Sequence, residues 1–193
     1  VFASIPLFFG IQQIAEGTLW LSLPNPEYIL LQKFATFIFV IMAQVLWPIM
    51  IPLSVLCLEQ DQKRKNILSI FLVLGLLFSL YIGYCLTFYN ITPKIENYHI
   101  QYYIDFPESF ILPAFIAYIT ATIIPPFIST VKRVNMLGVS LFLSCLVTLM
   151  FFTQYLVSVW CFFAAIISGV ILWILIDSNK EFKLNKLILL ESH

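Results

Sequence analysis

The stretch ILSIFLVLGLLFSLYIGYCLTFY, residues 67–89, runs from end to end without a charged side chain. An α-helix needs about 20 predominantly apolar residues to cross the hydrocarbon of a bilayer. Five more stretches fit that length: 2–23, 34–57, 110–130, 136–154 and 158–177. The expected fold is an all-α polytopic transmembrane helical bundle with six spans. The bundle fills residues 1–179, and a cytoplasmic tail follows over 180–193.

Composition agrees. Hydrophobic residues make up 61% of the chain and charged residues 10%. Soluble domains carry about 25% charged residues, so this chain cannot cover itself with a polar surface. Lipid is its expected surroundings. The formal net charge is zero, which argues against a nucleic-acid partner. Cys57, Cys85, Cys145 and Cys161 lie in or beside apolar stretches and read as packed thiols, with no disulfide framework. The chain opens inside an apolar run and not on Met, so a preceding segment is expected.

Polar punctuation separates most spans. Residues 136–177 read as one helix would reach about 63 Å, twice the hydrocarbon thickness. A reversal is therefore expected near Gln154-Tyr155, with Ser158 as N-cap. Of the ten Lys and Arg residues, eight lie in the loops 59–66 and 131–135 and the tail, against Lys33 and Lys94 on the other side. This positive-inside bias puts the visible N-terminus and the C-terminus in the cytoplasm. The tail mixes Lys with Leu and Ile and suits an amphipathic helix at the interface. In the outer loop 91–108, Tyr98, Ile100, Tyr102, Ile104 and Phe106 alternate with polar neighbours, which predicts a strand or extended lid.

One ionisable residue sits at membrane depth. Glu16 lies in Gln12-Gln13-Ile14-Ala15-Glu16-Gly17-Thr18-Leu19-Trp20. A charge at a helix centre costs about 2.5–3.5 kcal/mol on insertion scales, so it needs a partner or a task. Helical spacing groups Gln12, Gln13, Glu16, Gly17 and Trp20 on one face. Lipid offers that face no partners, so it points inward. Gln44 of the second span lies at a similar depth. Pro48 and Pro52 follow it and should kink the helix and free carbonyls. The expected ligand-binding set is Glu16, Gln12, Gln13, Trp20 and Gln44, taking a small polar ligand, a proton or a cation. Glu16 as a protonated side chain joining helices through hydrogen bonds fits the same residues. Gly75, Ser79 and Gly83, and Ser140, Ser144 and Thr148, read as rows for close helix packing.

No His-x-x-x-His, Cys-x-x-Cys or His/carboxylate cluster is present, so no metal or haem is expected. No phosphate loop or nucleophile elbow appears, and no cofactor is called for.

The run from Pro6 through Gln12-Gln13-x-x-Glu16-Gly17-x-x-Trp20 resembles the second helix of a bacterial family of multi-pass membrane proteins of unknown function. Ser158-Val159-Trp160-Cys161-Phe162-Phe163-Ala164-Ala165 resembles that family's last helix. Tyr118 through Ala121-Thr122 to Pro125 and Ser129 is compatible with its fifth, and His99-x-x-Tyr102 also matches. The resemblance implies one further helix ahead of residue 1, seven in all, and carries no activity.

Three functions are open at this point. The first is ligand or ion binding, or sensing, through a polar pocket near the outer leaflet. The second is a structural or accessory subunit with membrane-protein partners. The third is a membrane-embedded enzyme acting on lipid.

Overall fold

The computed structural model describes residues 1–105 and 107–191, without the side chains of residues 108, 170, 174–175 and 177–191. Phe106 and the amphipathic face expected for the tail lie outside the described residues.

The fold is an all-α bundle with one small hairpin. Helix α1 (Ile5–Ser22) follows a 3-10 turn at Phe2–Ser4. Helix α2 (Ile29–Val40) passes through a π-helical segment, Ile41–Leu46, into α3 (Trp47–Leu58). Helices α4 (Gln62–Phe88), α5 (Glu108–Ile128), α6 (Lys132–Phe151) and α7 (Leu156–Glu191) complete the bundle. Five helical stretches are long and apolar enough to cross a membrane: Pro26–Leu58, Gln62–Phe88, Ser109–Ile128, Lys132–Phe151 and Thr153–Trp173. The 18-residue α1 is not among them; Gln12, Gln13 and Glu16 dilute its apolar content. Outward-facing Leu30, Leu77, Leu80 and Met150 are largely exposed, as expected of a lipid-facing surface.

The reversal between α6 and α7 falls at Phe152 and the 3-10 turn Thr153–Tyr155. Ser158 is not the N-cap expected of it. It lies within the first turn of α7 and is buried.

The strand expectation is half of what forms. Strand β1 (Ile91–Glu96) pairs antiparallel with β2 (His99–Ile104), Glu96 opposite His99. The two-residue turn places Asn97 at φ 48° and Tyr98 at φ 62°. Two successive left-handed residues are the signature of a type I′ turn, whose twist matches that of a hairpin. Ile100 is fully buried against Leu19 and Ala35. His99 packs on Phe152 and Tyr155, and Asn97 Nδ2 donates to the Tyr155 hydroxyl (2.9 Å). The hairpin is thus pinned across one end of the bundle.

At the opposite end, Phe2, Ile5, Val55, Leu68, Val134 and Ile171 form the main apolar core. The expected small-residue rows are used unevenly. Gly75 has no room for a side chain, because a Cβ there would overlap the Pro48 carbonyl, whereas a Cβ on Gly83 would meet nothing.

Candidate functional site

Proline chemistry shapes the centre of the bundle. Pro48 has no N–H to give the Gln44 carbonyl, and a π-helical turn stands where the regular ladder would have run. Two carbonyls of this segment take partners from other helices. Tyr118 OH donates to the Ala43 carbonyl (2.8 Å), and Ser79 Oγ donates to the Val45 carbonyl (2.7 Å). Pro52 likewise gives no N–H to the Pro48 carbonyl, which is the oxygen that Gly75 makes room for.

A cavity of about 330 Å³ lies beside this π segment. Ala43 and Gln44 form one wall, and Phe78, Ile82 and Cys85 of α4 another. Phe115 and Tyr118 of α5 and Trp160 and Cys161 of α7 close it, with Tyr102 and Ile104 of β2 on the hairpin side. Ligand sites run to about 300–1,000 Å³ and are mostly apolar with a few placed polar groups, and this cavity fits that description at the small end. Tyr118, Trp160 and Cys161 also border a second, smaller space of about 30 Å³ that reaches Phe9, Trp47 and Ile51.

The Glu16 stripe lies behind the cavity wall and does not face it. Gln12 is fully buried and Glu16 is 5% exposed. Gln12 Oε1 accepts from Trp47 Nε1 (2.7 Å), whose ring stacks on Phe9 at 3.9 Å. Ser158 and Gln13 act on the Glu16 carboxyl. Tyr102 and Cys161, both cavity residues, lie within electrostatic reach of it. Yet Gln12 Nε2, Gln13 Nε2, Glu16 Oε1 and Tyr102 OH have no hydrogen-bond partner of good geometry. An unpartnered buried polar atom costs about 1–3 kcal/mol, so four in one place is a conspicuous concentration.

Of the five residues expected to form one site, Gln12, Gln13 and Glu16 come together. Gln44 lines the cavity on the other side of its wall. Trp20 is 38% exposed and Gly17 is exposed. Trp20 lies about 80° round the helix from Gln12, on the margin of the face that α1 buries. Trp47, Tyr102, Ser158 and Cys161 were not legible as partners. They lie 31 residues or more from Gln12 or Glu16 in sequence, and no local spacing joins them.

A second buried carboxylate escaped the sequence reading altogether. Glu59 sits in the run 59–66 that reads as polar punctuation, but it is only 2% exposed. Its Oε1 accepts from the N–H groups of Gln60 (2.9 Å) and Asp61 (3.0 Å) and from Thr130 Oγ1 (2.8 Å). Its Oε2 accepts from the Thr130 N–H (2.7 Å). Burial alone would push this carboxyl up, but the four donors outweigh it and hold the pKa at about 2. Arg64 donates to the Ile128 carbonyl beside it, and Asp61 caps α4 through the Arg64 N–H. Glu59 thus ties the α3–α4 loop to the α5–α6 loop. Its donors are internal and complete, which marks it as structural.

The model of a family described as "Family of unknown function (DUF6629)" matches residues 1–185. The chain belongs to this family. No curated protein and no solved structure matches it. The DUF6629 match takes in the Glu16 stripe, the π segment, the hairpin and the Glu59 clamp. Membership supplies no reaction. Among the described residues, no group of three His, Cys, Asp or Glu side chains is placed to hold a metal ion.

Proposed function

We propose that this chain is a multi-pass protein of the bacterial inner membrane that binds a small, mainly apolar ligand beneath an outer hairpin. Orientation rests on the lysines and arginines. Lys63, Arg64, Lys65, Lys132 and Arg133 gather at the Glu59 end, and Lys94 lies at the hairpin end. By the positive-inside rule the Glu59 end faces the cytoplasm and the hairpin faces outward.

The observation that carries the binding reading is the cavity of about 330 Å³ between the π segment and the hairpin. Its walls are rings and aliphatic chains, so the ligand it suits is more apolar than the small polar molecule or ion expected from Glu16 alone. Gln44 and Tyr118 supply the few polar contacts.

The test is thermal unfolding of the purified protein in lipid nanodiscs with decane or 1-decanol added. A ligand at a hundred times its Kd contributes about 2.7 kcal/mol to stability. Either probe is expected to raise the Tm of the wild type and to leave unmoved Ala114→Phe, which fills the cavity that Ala114 of α5 lines. Equal shifts in both proteins, or none in the wild type, would refute the reading.

A further inference from the structure

We propose that the apolar ligand of the cavity is one hydrocarbon chain of a membrane lipid, which enters from the outer leaflet at Ile111. The proposal rests on the cavity reading and adds the route and the source of the ligand.

The lining residues are not equally covered. Ala43, Phe78 and Trp160 are buried. Leu86 in the last turn of α4, Ile104 at the end of β2 and Leu156 at the start of α7 are half-buried. Ile111, in the first turn of α5, also lines the cavity, yet it is 55% exposed. A side chain that belongs both to the wall and to the outer surface marks a mouth.

Position decides what lies outside that mouth. Ile111 is the third residue of the apolar stretch Ser109–Ile128, so it sits about 3 Å inside the outer end of that stretch. This is the level at which head groups give way to hydrocarbon. Rings gather near it on the outer surface. Tyr81 of α4 meets Phe110 of α5, with centroids 6.3 Å apart, and Tyr84 meets Phe88 at 4.6 Å; all four are exposed. Aromatic side chains favour that interface.

From Ile111 the α5 wall runs seven residues to Tyr118, about 10 Å. A lipid head group can stay among other head groups while its chain fills that length. The lining chemistry favours a chain. None of the described residues that line the cavity is charged, so a charged group inside would be buried without a partner. The Tyr118 hydroxyl and the Trp160 N–H are already given to the Ala43 carbonyl and to Ser144 Oγ. A saturated chain needs no hydrogen bond and supplies the dispersion contacts that an empty cavity forfeits. An apolar solute arriving from water would fit the same walls, and the experiment separates the two sources.

Two photoreactive probes are compared in nanodiscs at low mole fraction. One is a phosphatidylcholine with a diazirine at the end of one chain, and the other is decane carrying a diazirine. Adducts are located by peptide mass spectrometry. The phospholipid should label Tyr118 or Trp160 inside the cavity as well as exposed Leu80 outside it. Ile111→Trp, which narrows the mouth, should lower the cavity adducts of the phospholipid about tenfold, the effect of roughly 1.4 kcal/mol in affinity. Adducts at Leu80 and the unfolding temperature should not change. Cavity adducts from the decane probe alone would overturn the lipid source and leave the cavity reading standing. Phospholipid adducts in the cavity that Ile111→Trp leaves intact would overturn the route. Absence of cavity adducts from both probes would remove the cavity reading and this proposal with it.

Discussion

The carbonyl oxygen of Pro48 occupies the place where a side chain on Gly75 would begin. Pro52 leaves that oxygen without its helical donor, and Gly75 lets α4 come against it. Gly75→Ala should therefore force α3 and α4 apart and destabilise the protein by roughly 3 kcal/mol or more, the upper range for overpacking. Gly83→Ala, eight residues along the same helix with open space around it, should be neutral or slightly stabilising, because alanine favours helix. Thermal unfolding of the two variants in one detergent checks the contrast, and equal effects would count against the close approach.

Ser79 and Tyr118 satisfy two carbonyls of the π segment. Ser79→Ala and Tyr118→Phe should each cost about 1–3 kcal/mol, because each leaves a buried carbonyl unmet. Hydrogen exchange should quicken at residues 43–48 in both. No change there would mean that the π turn is held by the prolines alone.

The Glu59 carboxyl has a pKa held at about 2, against an ordinary 4.5. The fold prefers its ionised form, so its contribution is fully present above about 4.5 and is lost as pH falls towards 2. Wild-type Tm should fall over that window, and Glu59→Gln should start lower and vary less with pH. Removing the carboxylate should cost roughly 3 kcal/mol, since charge-assisted bonds are the strong ones. A Tm for Glu59→Gln equal to the wild type at neutral pH would sink the clamp.

Tyr98 is 91% exposed with φ at 62°. A left-handed backbone costs an L-residue about 1–2 kcal/mol, and glycine adopts it freely at some cost in chain entropy. Tyr98→Gly should raise stability by about 0.5–1 kcal/mol, and Tyr98→Val, branched at Cβ, should lower it. Loss of stability in the glycine variant would show that the Tyr98 ring makes contacts the hairpin depends on.

Much of the architecture was legible because long apolar runs dictate it. Hydropathy alone marks α4, α5 and α6, whose apolar runs have no other use. The alternation from Tyr98 to Ile104 reads directly as β2. Its partner β1 is hidden, since Ile91-Thr92-Pro93-Lys94 lacks alternation and contains a proline that is tolerated only on a strand with a free edge. Glu16, Gln12 and Gln13 are conspicuous because they are polar in an apolar helix. Glu59 is invisible for the opposite reason: it stands among other charges, and only the fold puts it out of water. Which face of α1 is buried depends on packing against α2 and α7. Spacing on one helix cannot set that, and so Trp20 went with the stripe in sequence but not in space.

Binding requires that the cavity hold a ligand in the native membrane. Native mass spectrometry of the protein released from membranes without added lipid would test this directly. The wild type should carry a small bound molecule that Ala114→Phe lacks, with both proteins folded by thermal unfolding. A wild type that flies free of any bound molecule, or an Ala114→Phe variant that retains the same one, would contradict it.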